Sequence, residues 1–367
     1  MRASLFQTGE TANMTGPAII FHVVLPQDVA VLRPLMVLVK SLHGKQVELL
    51  VSRHLIGLGA GAEIEKISSE LNLTTTYCDS PEDARRHLEN KAGILFVGHE
   101  SSVPPHYWTH DLFKALPNSF LKVTLQHGFE CVGFLHNAAH DAAYGKEIRF
   151  AADVVVGWFA EQRLASLHPS QRAKLYVAGP PIMIEPKSPM RTDATRATKG
   201  MVCENLHSVR FTAPAVYENF LAQFAAFAER FCATGARIDF RPHPAGRFTD
   251  RLGLTLPDGV ERNGRPLYEQ DLGAFDFAIS PPSSILFDFV VANVPTAVWV
   301  DAEGRMDFAN FAGLETVSCA DEWWSFAERS SRERDSILAN QKQFVDGLGI
   351  PTDVARRYTE LMSRVAA

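Results

Sequence analysis

The sequence predicts two doubly wound α/β domains that face each other across a central cleft. Short β-branched runs, such as Ala18–Val24 and Gly93–Val97, alternate with helical stretches through most of the chain. This alternation is typical of parallel sheets built from βαβ units. It breaks once, in a proline-rich segment without periodicity between Gly179 and Lys199, and then resumes. A length of 367 residues suits two such domains.

We therefore divide the chain into an N-terminal domain (1–180), a linker (181–198), a C-terminal domain (199–350) and a closing helix (351–367). The closing helix is a candidate to pack back on the N-terminal domain. The other predicted strands are Val47–Val51, Thr74–Tyr77, Leu121–Leu125, Asp153–Val156, Lys174–Val177, Met201–Glu204, Arg237–Phe240, Phe277–Ser280 and Ala297–Val300. The predicted helices include Val29–His43, Ala60–Leu71, Ala213–Thr234, Trp323–Phe344 and Thr352–Val365, and one that opens at Ser80–Pro81.

Bulk composition narrows the function classes. A net charge of −6 argues against a general nucleic-acid binder, which is usually basic. The five cysteines are far apart and show no CxxC spacing, so we expect no disulfide framework and a reducing compartment. The first residues do not resemble a signal peptide, and no apolar run is long enough to span a membrane. We expect a cytoplasmic protein with at most peripheral contact at the inner face of the membrane.

The first candidate site follows the predicted strand Leu121–Leu125, which runs directly into Gln126, His127 and Gly128. In open α/β sheets, ligands bind outside the carboxyl ends of the strands. A histidine at this position would act as a general base on an acceptor hydroxyl or contact a phosphate. The alternative is a structural histidine that bonds a loop carbonyl. Gln126 and Gly128 are possible cleft contacts beside it.

The second candidate site is the segment Arg241-Pro242-His243-Pro244, which follows the strand Arg237–Phe240. The two prolines cannot donate backbone hydrogen bonds, so the Arg and His side chains would make the polar contacts. A guanidinium and an imidazole at a strand end suit phosphate oxygens. The alternative is a rigid loop with a solvated arginine.

The third candidate site follows the strand Phe277–Ser280, where two prolines turn the chain and Ser283-Ser284 opens an apolar helix. The hydroxyls, the first-turn N–H groups and the helix dipole together form an anion site. The alternative is that a serine stands there only because it is a usual N-cap.

Other polar residues near strand ends are weaker candidates. Glu204, Asn205 and His207 follow the first strand of the second domain and are possible cleft contacts, and Glu269 is a possible ribose contact. His99-Glu100 also ends a strand, and could shape an acceptor pocket or form an ordinary turn.

The order of the three motifs resembles that in the CDP-glycerol glycerophosphotransferases, which include the teichoic-acid polymerases. More loosely, it resembles that in bacterial capsule sialyl- and Kdo-transferases with His-Pro motifs. The resemblance covers about half of the chain, from Leu121 to Val300. The matched segments are His127-Gly128 for an HG motif, Leu175–Pro181 for a G-x-P segment, His243-Pro244 for an HP motif, and Ser280–Asp288 for a D-Y-S-S-x-x-F-D pattern, with Ser283, Ser284, Phe287 and Asp288 in register.

The resemblance implies a GT-B fold with two Rossmann-type domains. It also implies transfer of a glycosyl or polyol-phosphate group from a cytidine-nucleotide donor, CDP-glycerol-like or a CMP-sugar. The acceptor would be a hydroxyl of a cell-surface glycan or its precursor, lipid-linked acceptors included. His127 would then be the acceptor-side base. His243, Ser283 and Ser284 would hold the donor phosphates, with Arg241 beside them.

The sequence departs from the family pattern at both halves of the site. Phe129-Glu130 stands where the family usually has Thr-Pro, and Pro281-Pro282 replaces Asp-Tyr, so acceptor and donor contacts differ. The chain has little room for the membrane-associating region of the polymerases, which favours single addition. No D-x-D motif is present, so we expect neither a cofactor nor a metal ion.

Two alternatives remain open. One is a UDP-sugar 2-epimerase or UDP-sugar glycosyltransferase of the same architecture. Such epimerases also carry an HG strand end, but their phosphate loop typically bears glycine and glutamate, unlike Ser280–Phe289. The other is a two-domain small-ligand binding protein, against which the single linker argues.

Overall fold

Two parallel β-sheets with helices around them organise the chain. The computed structural model describes residues 18–42, 47–185, 198–207, 211, 213–243, 248–304 and 306–364. The N-terminal sheet contains β1 (Ala18–Val23), β2 (Val47–Ser52), β3 (Thr74–Cys78), β4 (Gly93–Val97), β5 (Phe120–Leu125), β6 (Val154–Gly157) and β7 (Leu175–Val177). The C-terminal sheet contains β8 (Lys199–Glu204), β9 (Arg237–Pro242), β10 (Val260–Arg262), β11 (Phe277–Ser280), β12 (Thr296–Trp299) and β13 (Glu315–Val317).

The helices connect successive strands. They are α1 (Pro26–Ser41), α2 (Arg53–Leu55), α3 (Gly61–Glu70), α4 (Pro81–Leu88), α5 (Tyr107–Ala115), α6 (Ala138–Tyr144), α7 (Pro214–Cys232), α8 (Phe248–Arg251), α9 (Ser284–Val291), α10 (Ala320–Arg332), α11 (Arg334–Asp346) and α12 (Val354–Ser363). Ser80 caps α4 as the sequence predicts, because its Oγ accepts a hydrogen bond from the N–H of Asp83 at 3.1 Å.

Both sheets wind in the same order. The strands run β3-β2-β1-β4-β5-β6-β7 in one sheet and β10-β9-β8-β11-β12-β13 in the other, and neighbouring strands are parallel. The order reverses direction between β1 and β4 and between β8 and β11. At such a switch point the flanking connections leave on opposite faces of the sheet and open a crevice, where ligands bind.

The central strands are buried because helices cover both faces of each sheet. All five residues of β4 are buried, and so are those of β1 after Ala18. In the C-terminal domain the stripe of four phenylalanines predicted for the long helix forms part of the core. Phe220, Phe224, Phe227 and Phe231 are buried on α7, and the first three contact Trp323 of α10.

The C-terminal helix α12 packs against the N-terminal domain. Val354, Tyr358 and Leu361 belong to its apolar core. The Tyr358 hydroxyl donates to the carbonyl of Gly179 at 3.0 Å, next to the end of β7. The chain thus passes between the domains a second time, so the number of crossings no longer argues against a two-domain binding protein.

Two further differences from the predicted elements concern helices. The helix predicted over Trp323–Phe344 is two helices, because Glu333 has non-helical angles (φ −121°, ψ 25°) and separates α10 from α11. Helices α2, α5, α6 and α8 were not predicted. Most of the predicted linker, residues 186–197, lies outside the described residues. Among the described helices, none is long and apolar enough to cross a membrane.

Candidate active site between the two domains

The loop after β5 is held in place by Gln126. This buried side chain donates from Nε2 to the carbonyls of Gly128 (2.9 Å) and Phe129 (3.1 Å), and its Oε1 accepts from the N–H of Trp158 (2.9 Å). The amide is therefore engaged by the protein backbone at both ends. Its role in this structure is to fix the shape of the loop that carries His127.

His127 lies in this loop as a partly exposed side chain. Its ring centroid is 5.7 Å from that of His106 and 6.1 Å from that of His99, and its Nδ1 lies 3.4 Å from Cys131 Sγ. Burial of the ring, followed by the neighbouring His99, lowers the pKa of His127 to about 4. The imidazole is therefore neutral near pH 7 and has a nitrogen lone pair that can accept a proton.

The loop touches the other domain at the start of α9. The N–H of Phe129 donates to the Ser284 hydroxyl at 2.8 Å. Gly128 allows this approach, since a Cβ at this position would lie 2.5 Å from Ser284 Oγ. Two of the candidate sites predicted separately from the sequence are thus in direct contact across the domain boundary.

An aromatic cluster fixes this part of the interface. The ring of Phe129, which is fully buried, lies 4.8 to 5.9 Å from the rings of Phe287, Phe311 and Phe344, all from beyond the linker. Trp158 of the N-terminal domain also contacts Phe287. Buried aromatic pairs of this kind contribute large apolar areas, so the two domains are packed together here rather than separated by solvent.

Polar contacts join the domains beside that cluster and at a second place. Asn310 Nδ2 donates to Glu130 Oε1 at 2.9 Å. Elsewhere, Lys66 of α3 forms a salt bridge of 2.7 Å with Glu269. Glu269, a possible ribose contact by its sequence position, is thus paired across the domain boundary. Arg33 of α1 also lies over the ring of Tyr268.

Arg241 and His243 lie at the end of β9. Arg241 donates from Nη1 to the carbonyl of Arg265. Burial lowers the pKa of Arg241, while the nearby Cys203 and the acidic groups of Asp288 and Glu63 raise it. Glu63 belongs to the N-terminal domain, so the guanidinium lies close to the domain boundary. Pro244, the last residue of the motif, is outside the described residues.

His243 stacks on His207. Their ring centroids are 4.1 Å apart and the planes differ by 19°. Burial, then the neighbouring His207 and Arg241, lowers the pKa of His243 to about 3. His243 is therefore neutral at pH 7, and would contact a phosphate as a hydrogen-bond donor rather than as a cation. His207, the outer ring of the pair, is exposed.

Ser283 is the N-cap of α9 and Ser284 is its first residue, and their hydroxyls make different contacts. Ser283 is the N-cap residue with an extended backbone (φ −163°, ψ 157°), and its side chain makes no capping hydrogen bond. Ser284 accepts the bond from Phe129 described above. First-turn N–H groups of a helix have no intrahelical partner, so they and the Ser283 hydroxyl can bind an anion.

Glu204 and Asn205 make contacts within the C-terminal domain. The Glu204 carboxylate accepts hydrogen bonds from the N–H groups of Phe248 and Thr249 and from the Thr249 hydroxyl, at the start of α8. Asn205 Nδ2 donates to Ser280 Oγ at 3.0 Å and so ties β8 to β11 at the switch point. Both side chains shape the crevice through these contacts.

Sequence reasoning did not single out a buried acid–histidine pair in the N-terminal domain. His99 follows β4, and its Nδ1 lies 2.7 Å from Asp28 Oδ1 in the first turn of α1. Both side chains are almost completely buried. The position of His99 after a strand was a signal, but Asp28 is 71 residues away and has no motif of its own.

Metal-binding geometry is not found in the part of the chain that the structure describes. There, no group of three or more His, Cys, Asp or Glu side chains is arranged to hold a metal ion. The described cysteines are free thiols, and burial raises the pKa of Cys131 to about 12.

Neither a family model nor a curated protein sequence matches the chain. Solved structures do match. A UDP-N-acetylglucosamine 2-epimerase aligns with a TM-score of 0.59 at 10% identity, over 96% of each chain. The Neisseria meningitidis UDP-GlcNAc 2-epimerase bound to UDP-GlcNAc aligns with a TM-score of 0.56 at 9% identity, over 94% of this chain and 98% of the other. The calicheamicin glycosyltransferase CalG4 gives 0.52 at 12%, over 95% and 98%.

The chain has the GT-B fold. These alignments cover 94 to 98% of each chain, so they include both parallel sheets of this one. Identities of 9 to 12% show the fold alone. In a GT-B protein the cleft lies between the carboxyl ends of the two sheets, which is where His127, Arg241, His243 and Ser283 are found.

Proposed function

We propose that this GT-B protein transfers a glycosyl or polyol-phosphate group from a pyrimidine-nucleotide-activated donor to a hydroxyl of a cell-surface glycan or its precursor. The contact between the Phe129 N–H and Ser284 Oγ carries the proposal. It brings the His127 loop of one domain next to an anion-binding helix start of the other. A base and a phosphate site at one domain boundary are what such a transfer needs.

The donor half of the site is assigned to the C-terminal domain. The Ser283 hydroxyl and the first-turn N–H groups of α9 face an incoming phosphate with the positive end of the helix dipole. Arg241 supplies a charge, and neutral His243 supplies an N–H donor. Charge that develops on the departing nucleotide would be stabilised by these fixed groups, without a metal ion.

The acceptor half is assigned to His127. As the acceptor oxygen attacks the transferred group, its proton passes to the neutral imidazole and the bond to the nucleotide breaks. The nucleotide leaves as an anion on the C-terminal domain, and the proton is later released from His127 to solvent. A base that is already neutral at pH 7 needs no prior deprotonation.

The motifs and the solved structures differ on which nucleobase the donor carries. The order of the HG, HP and Ser-Ser motifs favours a cytidine nucleotide. The matching structures include UDP-GlcNAc 2-epimerases, one of them bound to UDP-GlcNAc, and they favour uridine. A UDP-sugar 2-epimerase or UDP-sugar glycosyltransferase is therefore the second candidate, and for the base itself the solved structures give uridine the stronger support.

A thermal-shift panel tests the donor site. CMP, CDP, UMP, UDP, GDP and ADP are added with and without EDTA to the wild type, Ser283→Ala and His243→Ala. Thr234→Val is the control. Thr234 precedes β9 and lies at the amino end of that strand, whereas Arg241 and His243 lie at its carboxyl end. A ligand at 100 times its dissociation constant stabilises the folded state by ~2.7 kcal/mol, which gives a clear melting shift.

Selective stabilisation by one pyrimidine nucleotide, weakened in the first two variants and kept in the control, supports the proposal and names the base. Conversion of a UDP-sugar without any acceptor would identify an epimerase, whereas acceptor-dependent release of the nucleotide identifies a transferase. No shift with any of the six nucleotides would overturn the proposed function. Loss of the shift on adding EDTA would overturn its metal independence.

A further inference from the structure

The buried pair of Asp28 and His99 spans the switch point of the N-terminal sheet. Asp28 lies in the first turn after β1 and His99 follows β4, and these two adjacent strands flank the point where the strand order reverses. His99 Nδ1 is 2.7 Å from Asp28 Oδ1, with side-chain exposures of 0% and 1%. The pair therefore lies at the switch point, next to the crevice in which doubly wound domains place their ligands.

Asp28 holds His99 in a defined orientation. Its Oδ2 accepts hydrogen bonds from the N–H groups of Val24 (2.9 Å) and Leu25 (2.8 Å), which leaves Oδ1 for His99. Gly98 makes the approach possible, because a Cβ there would lie 2.4 Å from Asp28 Oδ1. Burial raises the pKa of Asp28, but attraction to His99 and these hydrogen bonds lower it overall, so the group is a carboxylate.

The carboxylate also sets the tautomer of His99. Since a carboxylate only accepts, Nδ1 of His99 carries a proton, and Nε2 is the ring nitrogen left for another contact. That Nε2 atom is buried and has no hydrogen-bond partner among the residues that the structure describes. A buried polar atom without a partner is unfavourable unless the site uses it, so it points to a function.

The His99 ring connects Asp28 to His127. Its centroid lies 4.9 Å from that of His106 and 6.1 Å from that of His127. His106 Nδ1 is 2.7 Å from Ser101 Oγ, which holds the third ring of the cluster. His99 and His106 thus lie next to the ring of the proposed base, each with its plane at 84° to that of His127.

We propose that Asp28 and His99 are positioning residues for His127: they place a fixed negative charge and an oriented imidazole behind the base. This inference rests on the proposed function. The acceptor proton moves to His127, the positive charge so formed is balanced by the Asp28 carboxylate, and His99 keeps its proton on Nδ1. Release of the proton from His127 restores the starting state.

Asp28 and His99 shift the pKa of His127 in opposite directions. Burial is the main cause of the lowered pKa of His127, His99 lowers it further and Asp28 raises it. Other titratable groups around the cluster are His22 on β1, Glu100 and His106 in the connection after β4, His110 on α5, Cys131 in the loop, and His140 on α6.

Histidine-selective ¹⁵N NMR of the full chain over a pH titration tests the proposal without any need for substrate. Asp28→Asn should shift the apparent pKa of His127 downward and move the His99 proton from Nδ1 to Nε2. His99→Gln should shift the His127 titration upward. Simple destabilisation cannot give opposite shifts. If Asp28→Asn does not fold, the direction of the pKa shift of His127 in His99→Gln still tests the proposal.

Glu48→Gln is the matched control. Glu48 is also buried and pairs with a histidine (His87) and with Lys91 (2.6 Å), but it lies near the start of β2, away from the carboxyl ends of the strands. It should lose comparable stability but leave the His127 titration and turnover near wild type. Asp28→Asn should lower turnover by about 100-fold, within the range of general acid–base effects, at unchanged nucleotide affinity.

Two results would overturn the inference. One is a His127 titration that does not move, or moves in the same direction, in Asp28→Asn and His99→Gln. The other is an equal loss of turnover in Asp28→Asn and Glu48→Gln. If the protein binds no nucleotide, the proposed function fails, yet the NMR titration still tests the pair.

Discussion

The contact between the domains at Gly128 and Ser284 allows a prediction with a definite sign. Gly128→Ala adds a methyl group 2.5 Å from Ser284 Oγ and 3.3 Å from the Glu130 carbonyl oxygen. Real Cβ atoms do not approach a neighbour as closely as 2.5 Å, so the loop or the start of α9 must shift. Overpacking of this kind destabilises by ~1–3 kcal/mol.

Ser284→Ala removes the acceptor of the Phe129 N–H instead. A buried donor left without a partner costs ~1–3 kcal/mol. In the double variant the nearest atom of residue 284 to the added methyl is Cβ at 3.6 Å, which is ordinary van der Waals contact. The double variant should therefore lose about as much stability as Ser284→Ala alone, with a coupling energy of ~1–3 kcal/mol in its favour.

Equilibrium unfolding in guanidinium chloride, followed by tryptophan fluorescence, measures the four free energies of this cycle. Gly57→Ala is the control, because a methyl group there meets nothing within 4 Å. It should change stability by no more than ~0.5 kcal/mol. A double variant whose loss equals the sum of the two single losses would refute the contact on which the placement of the site depends.

Three further predictions follow from the same structure. His127→Gln should lower turnover by ~10²–10⁴-fold while the nucleotide dissociation constant, measured by calorimetry, stays unchanged, and equal losses in both would argue against a base. Stability should fall as the pH drops from 6.5 to about 4, because unfolded His22 takes up a proton that its buried, folded form with a pKa of about 4 excludes. Over this range His22 changes the free energy of unfolding by ~1.4 kcal/mol per pH unit. His22→Gln should lower the slope of this free energy against pH, measured by urea denaturation at each pH, by that amount. Phe129→Ala should cost ~3–5 kcal/mol and split the calorimetric transition, whereas Phe134→Ala, which contacts Phe150 in the same domain, should leave the number of transitions unchanged.

The sequence allowed most strands to be predicted closely, but the three-residue strands β10 and β13 were not predicted. Gly93–Val97 and Phe277–Ser280 agree with the structure at both ends, because short buried strands give continuous β-branched and aromatic runs bounded by polar or proline residues. The topology that aligns the strand ends then follows from right-handed βαβ connections. The residues at strand ends, among them His127 and Arg241, could be identified for that reason, although β9 extends through Arg241 to Pro242.

Contacts between distant segments could not be predicted from the sequence. Asp28 and His99 meet only because β1 and β4 are neighbours, and nothing in their local sequence encodes that pairing. Ser284 matched a phosphate motif, yet its hydroxyl is also the acceptor for Phe129. Glu204 stands at a strand end, but its carboxylate caps a short helix. This contact could not be predicted, because its partner Thr249 is 45 residues away in the sequence.

The division of polar groups between the two switch points explains why the site needs both domains. In the N-terminal domain, the described cluster is made of imidazoles, and the lowered pKa values of His106 and His127 keep these two rings neutral near pH 7. Such rings can take up a proton but offer no fixed positive charge to a phosphate. Arg241 and the start of α9 can hold a phosphate but cannot accept a proton. Because the Phe129–Ser284 hydrogen bond joins the two sets, the relative placement of the domains is itself a part of the proposed catalytic machinery.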